Sequence, residues 1–266
     1  MRKTCLTPER SRTTVRESLR LYRYLATSGV ASRRRCDDLI RAGRIAVNGV
    51  PVAELGTRVN PAHDEVTVDG KLVSLPDQRW TLAMNKPRDV LVAASDSRGR
   101  RTVLDLLEGF PGRVFPVGRL DYRSEGLLLF TNDGDLAYRL AHPRFKVEKL
   151  YRVDVVGQIS PSLVDSFRKG VMLEDGRTQP AVLAVVQKTK TRSSLEIELR
   201  EGRKRQIRRM LAIFGHEVTR LRRIRFGPIA LGDLPEGAWR ELSSEEVRGL
   251  RRAVDLPVSR NGDEAA

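Results

Sequence analysis

The chain has 266 residues, 40% of them hydrophobic and 31% charged, with a formal net charge of +15. That is enough apolar material for one or two packed domains, and so strong a single-sign field points to a polyanionic partner, nucleic acid first. Two cysteines (Cys5, Cys36) and three scattered histidines (His63, His142, His216) argue against a zinc site or a disulfide framework, and no apolar run approaches the ~20 residues of a membrane span.

Residues 1–18 are basic and rich in Ser and Thr but lack a hydrophobic core, which argues against a secretory signal. A disordered basic arm or an early start codon is expected there, in preference to a transit peptide, and the expected setting is a reducing cytoplasm. Next, in LRLYRYLATSGV, Leu21, Tyr24 and Leu25 recur at helical spacing. SRRRCDDLIRAG predicts a second helix, with Ser32 as N-cap, an apolar stripe of Cys36, Leu39 and Ile40, and Gly43 as the stop. Arg33, Arg34 and Arg41 fall off that stripe and face outward, joined by Arg44. Arg33, Arg34 and Arg35 open the helix, where the dipole and free backbone N–H groups already favour an anion, so this triplet suits an RNA phosphate. Such contacts orient RNA and read little sequence.

The pattern then changes to period two in RIAVNGVPV, with Asn48-Gly49 as a hairpin turn and Asp69-Gly70 as a second. The stretch SLPDQR at 74–79 is a break. It separates an expected small RNA-binding domain at 19–75 from a body at 80–251, which is followed by a flexible tail at 252–266. The body alternates strands and short helices without a βαβ rhythm, so the expected fold class is α+β with a mainly antiparallel sheet. It has no Gly-rich phosphate loop and no G-x-G-x-x-G after a strand, and neither a nucleotide cofactor nor a metal is expected.

Three segments of the body carry candidate chemistry. In VFPVGRLDYRSEGLLLFTNDGDLAYRL, apolar runs flank a polar loop that carries Asp121 between Arg119 and Arg123. On spacing alone this reads as an ordinary ion pair in a turn. In EKLYRVDV, a strand would place Tyr151 and Val153 on one face, and core packing is the plain reading. From Arg200 to Arg225 there are ten Lys/Arg against two Asp/Glu. There, Ile207, Met210, Leu211 and Phe214 form a helical stripe that Arg205, Arg208 and Arg209 leave on different sides, which favours a structured basic wall over a merely solvated face.

Two resemblances add to this reading. Helix, Ser-Arg-Arg helix and IAVNG, with Gly29, Ser32, Arg33, Gly43, Val47, Asn48 and Gly49, resemble the RNA-binding domain named after the fourth protein of the small ribosomal subunit. From residue 80 onward the chain resembles the rRNA pseudouridine synthases of the RsuA/RluB branch. The resemblance rests on NKP at 85–87, GRRTVLDLL at 99–107, GRLD at 118–121 with S-x-GLLLFTNDG at 124–134, Lys149-x-Tyr151, EGRKRQIRRM at 201–210, and the endings RLRRIRFGPIAL and LPEGAWREL.

The resemblance implies that Asp121 is the catalytic aspartate, and that Tyr151 stacks on the target uracil and is a candidate for removing its C5 proton. Arg208 is then the basic residue that salt-bridges Asp121. Arg33, Arg34, Arg35, Arg44, Arg119, Lys204, Arg205 and Arg209 are the expected RNA contacts. The implied product is pseudouridine in ribosomal RNA, with 23S favoured over 16S by the C-terminal motifs, made by a monomer without cofactor. Uridine isomerisation breaks C1′–N1 and joins C1′ to C5, and Asp121 could attack the sugar, attack the base, or remove a sugar proton. The rival readings are a ribosome-assembly factor without catalysis, and an RNA methyltransferase, which would need a donor loop that is not visible.

Overall fold

In the computed structural model, which describes residues 18–76 and 78–258, the chain divides into two units between Gln78 and Arg79. Cys5, nearly all of the expected N-terminal arm and the last part of the expected tail lie outside the described residues.

In the first unit, β1 (Leu19–Arg20) leads into α1 (Leu21–Thr27), followed by α2 (Arg33–Arg41), β2 (Ile45–Val47), β3 (Val50–Val52), β4 (Arg58–Val59), β5 (Val66–Val68) and β6 (Lys71–Leu72). Ser32 caps α2 by accepting a hydrogen bond from the Arg35 amide, and Cys36, Leu39 and Ile40 are buried, as the periodicity predicts. Strands β3-β2-β5-β6 form an antiparallel sheet whose two hairpins turn at Asn48-Gly49 and Asp69-Gly70. All four of these turn residues have φ between 50° and 78°, the conformation that primed turns demand and that Asn, Asp and Gly tolerate.

The second unit is built on β7 (Thr81–Lys86), β8 (Phe115–Pro116), β9 (Glu125–Thr131), β10 (Lys149–Val156), β11 (Met172–Leu173), β12 (Gly176–Arg177), β13 (Val182–Lys188), β14 (Arg192–Leu199), β15 (Val218–Phe226), β16 (Ile229–Ala230) and β17 (Trp239–Glu241). Its helices are α3 (Gly134–Ala141), α4 (Pro161–Lys169), α5 (Gln206–Ile213) and α6 (Ser244–Arg252). One sheet runs β13-β14-β10-β15-β9-β7-β17, with β8 on β9 and β16 on β15. Every pairing in it is antiparallel except β15 on β9, so the mixed α and β content with a mainly antiparallel sheet matches the sequence reading.

The run LLLF in β9 is continuous because both faces of the sheet are covered. Leu128 and Phe130 join one core with Tyr151, Val153, Leu163, Phe167, Ile207, Met210 and Leu211. Leu127 and Leu129 join the other core with Leu136, Leu140, Phe226 and Leu250. Helices α4 and α5 therefore close one side of the sheet, and α3 and α6 close the other. Each fully buried leucine stabilises this arrangement by about 1.5–3 kcal/mol. The lone parallel pairing sets Arg222 and Arg223 opposite Glu125 and Gly126, which ties the end of the Asp121 loop directly to the basic strand.

Candidate active site

A cavity of about 450 Å³ opens in the second unit, and Asp121 and Tyr151 both line it. Gly118, with φ +69°, turns the chain out of β8 into the loop that presents Asp121. Tyr151 stands on β10 with Arg223 as its cross-strand neighbour and is 9% exposed.

The loop after Asp121 is held by its carbonyls. The Asp121 carbonyl accepts from the Ser124 amide at 3.0 Å, and the Tyr122 carbonyl accepts from the Asp89 amide at 2.9 Å and from Lys86 Nζ at 3.4 Å. The Arg123 carbonyl accepts from Arg208 Nη2 at 3.3 Å, and the Ser124 carbonyl from Lys86 Nζ at 2.8 Å. Four consecutive carbonyls are thus claimed, and a charged donor contributes at three of them. Charge-assisted bonds of this kind are roughly twice as strong as neutral ones. Lys86 is fully buried, and burial lowers its pKa to about 8 against the opposing pull of Asp89, Asp121 and Glu125.

Arg208 departs from expectation. Among the described residues no salt bridge joins it to Asp121. Its guanidinium instead donates to the Val218 carbonyl at 2.8 Å and to Arg123, and it does not line the cavity. Burial, and then the charge of Arg205, push its pKa down, while the charge of Asp121 pulls it up. Asp121 and Arg208 thus feel each other's charge without a direct bond, and the guanidinium is spent on backbone carbonyls, one of them in the Asp121 loop. The ion pair expected between Asp121 and Arg119 or Arg123 is likewise not formed among the described residues.

The start of α5 is a buried polar knot. Glu201, 7% exposed, accepts from Gln206 Nε2 at 2.7 Å, from the Gln179 amide at 2.9 Å and from Arg203 Nε at 3.3 Å. Arg203 also donates to the Gly176 carbonyl, so its charge is committed within the fold. The neighbouring Lys204 and Arg205, with Arg119 from the opposite side, are exposed, line the cavity and have no ion pair among the described residues.

Other expected RNA contacts are already engaged. Arg209 grips Asp175 through two bonds of 3.0 Å. In the first unit, Arg44 pairs with Asp69 and fastens that hairpin turn. Arg35 lies 4.0 Å from Asp38, whereas Arg33 and Arg34 are exposed without an ion pair among the described residues. Sequence reasoning missed Lys86 and Arg223. NKP marked the position of Lys86 but not its job, and nothing distinguished Arg223 from the arginines around it.

Residues 81–213 match the model of the RNA pseudouridylate synthase family, and residues 19–66 match that of the S4 domain. The chain belongs to the RNA pseudouridine synthases. It is 45% identical over 239 residues to an RNA pseudouridine synthase of Aquifex aeolicus, covering 90% of this chain and 96% of that one. It is 41% identical over 238 residues to the ribosomal large subunit pseudouridine synthase B of Bacillus subtilis, covering 89% and 97%. A crystal structure of a pseudouridylate synthase superposes with a TM-score of 0.64 at 27% identity, covering 88% of this chain and all of the other. The enzyme is thus an isomerase that acts on RNA. Among its described residues no helix is long and apolar enough to cross a membrane, and no group of three or more His, Cys, Asp or Glu could hold a metal ion.

Proposed function

We propose that this enzyme converts a uridine of ribosomal RNA, in the 23S molecule, to pseudouridine, with Asp121 as the catalytic carboxylate, Tyr151 as the stacking ring and Arg208 as a positioning residue. The observation that carries this reading is one cavity holding a carboxylate on a backbone-clamped loop, a tyrosine on β10 and three exposed cations (Arg119, Lys204, Arg205) that have no ion pair among the described residues. The ribosomal substrate is drawn from the Bacillus subtilis relative, whose name assigns it to the large subunit.

The chemistry suits these groups. The target nucleotide leaves its stack, which costs a few kcal/mol. Stacking on Tyr151 returns about 1–3 kcal/mol of this. The carboxylate of Asp121 then meets the ribose, as nucleophile at C1′ or as base toward a sugar proton, in a site where a fixed geometry replaces solvent reorganisation. Arg119, Lys204 and Arg205 hold the phosphates on either side. The first unit adds affinity through Arg33 and Arg34, and the working boundaries are 19–75 for that unit and 80–251 for catalysis.

Asp121→Asn is expected to leave RNA affinity within about twofold and to abolish product, because it removes charge without changing shape. Carbodiimide mapping of both ribosomal RNAs, with and without the gene, is expected to lose one site, or two adjacent ones, in the large-subunit RNA. A loss confined to the small-subunit RNA would reverse the choice of target, and full activity of Asp121→Asn would remove Asp121 from the mechanism.

A further inference from the structure

We propose that Lys149 and Arg223 form a cation pair at the floor of the cavity that receives the uracil ring and stabilises the negative charge it carries once C1′–N1 has broken. The proposal rests on the reading that Asp121 isomerises uridine in this cavity, and it assigns the departing base its binding groups.

Arg223 is 2% exposed. Its one hydrogen bond among the described residues runs from Nε to the Leu127 carbonyl at 2.7 Å; Nη2 is sealed from solvent without a partner. No acidic group lies within 4.0 Å of it among the described residues, although on the same strand Arg220 has one and Arg225 has two. Lys149 spends one hydrogen bond on the Val147 carbonyl at 3.0 Å. Its ammonium and the Arg223 guanidinium lie 5.4 Å and 5.0 Å from the centroid of the same ring, Phe226, and all three residues line the cavity beside Asp121 and Tyr151.

Arg223 is buried and Lys149 half-buried against the same ring, and two like charges so placed without a counter-charge destabilise a fold; such groups persist where a ligand supplies the missing charge. Burial, and then the charge of Arg223, lower the pKa of Lys149 to about 8. The cavity's own acids do not fill the role. Glu201 is saturated by Gln206, Gln179 and Arg203, and Asp121 forms no ion pair with either cation among the described residues. Phosphates are served by the exposed cations Arg119, Lys204 and Arg205, where they can stay hydrated. What must reach Lys149 and Arg223 is the flat base that Tyr151 stacks.

When C1′–N1 breaks, its electron pair stays on N1 and spreads to O2 and O4. After the ring turns, the same charge drives C5 onto C1′, the C5 proton leaves to a base, and N1 takes a proton, so the product is an isomer of the substrate. A cation pair facing the ring oxygens lowers the barrier to the first of these steps.

The test uses the full-length enzyme with Lys149→Met and Arg223→Gln, on target RNA carrying uridine or 5-fluorouridine. Consumption of the target nucleoside in single turnovers is followed by nuclease digestion and liquid chromatography that separates each nucleoside from its isomer before mass spectrometry, and RNA affinity is measured in parallel. Fluorine stabilises the ring anion without touching the RNA backbone. Each variant is expected to lose about 100-fold in rate on uridine with affinity within about threefold, and to recover about tenfold of that deficit on 5-fluorouridine. Equal deficits on the two substrates, or a loss confined to affinity, would overturn the cation-pair role. If Arg223→Gln fails to fold, Lys149→Met decides alone by the same two readouts. Wild-type enzyme that makes pseudouridine while Lys149→Met keeps its rate removes this proposal and leaves Asp121 untouched. Wild-type enzyme that makes none removes the underlying reading.

Discussion

Gly126 and Gly118 bracket the Asp121 loop, and exchanging each for alanine separates two physical effects. Both have positive φ, +99° and +69°, so either substitution strains the backbone by about 1 kcal/mol. Around Gly118 a new Cβ would meet nothing within 4 Å. At Gly126 it would stand 2.3 Å from the Arg223 carbonyl oxygen, 2.8 Å from the Arg223 nitrogen and 3.0 Å from Arg222 Cγ. Those are mostly backbone atoms of the paired strand, so relief requires β9 and β15 to part by about 1 Å, and overpacking of that severity costs a further 1–3 kcal/mol or more. The expected losses are therefore about 1 kcal/mol for Gly118→Ala and about 3 kcal/mol for Gly126→Ala. Both tryptophans, Trp80 and Trp239, lie in the second unit and pack edge-on to Phe110 at 5.2 and 5.5 Å, so indole fluorescence follows that unit alone. With a urea slope of about 2 kcal/mol per molar, Gly126→Ala should melt some 1–2 M earlier than wild type and Gly118→Ala within about 0.5 M. Midpoints for the two variants within 0.3 M of each other, on the same slope, would refute the close approach of β9 and β15.

Two further outcomes are expected. Lys86 titrates near 8 in the fold against 10.5 when unfolded, so between those values the unfolded chain binds more protons and stability rises with pH; the contribution is complete above about 10.5 and lost as pH falls through about 8, on the order of 3 kcal/mol in all. Lys86→Met should flatten that rise in urea titrations at stepped pH, and should slow product formation as the Tyr122 and Ser124 carbonyls lose their charged donor; an unchanged slope would show that the buried ammonium is not the titrating group. Lys204→Ala and Arg205→Ala should each lower the slope of log affinity against log salt by about 1, measured by filter binding between low and physiological salt, and identical slopes would remove these side chains from the phosphate surface.

Much of this architecture was legible because local chemistry and global fold agree. Asn48-Gly49 and Asp69-Gly70 specify primed turns whatever surrounds them, and Ser32 caps α2 through a contact three residues away. The site was legible in part. Asp121 and Tyr151 line one cavity, and the fold joins them through pairings of β10 with β15 and of β15 with β9 that no periodicity reveals. The arginines were the hard case. Adjacent strand positions face opposite ways, so Arg222 and Arg223 must diverge, and only the covering layers decide which one is buried. Arg44 and Arg209, expected as RNA contacts, also pair with Asp69 and Asp175, 25 and 34 residues away in the chain, which no local pattern reveals. Arg208 was expected on Asp121 itself, and the fold spends it on the backbone at Val218 and Arg123.

The clamped carbonyls from Asp121 to Ser124 have a consequence for what the enzyme can accept. A loop with its acceptors already taken has little freedom to follow an incoming ribose, so the fitting falls to the RNA. On the proposed reading, uridines in weakly stacked or bulged stretches are the natural clients, and selection among them is written into how readily each site deforms, as much as into its sequence.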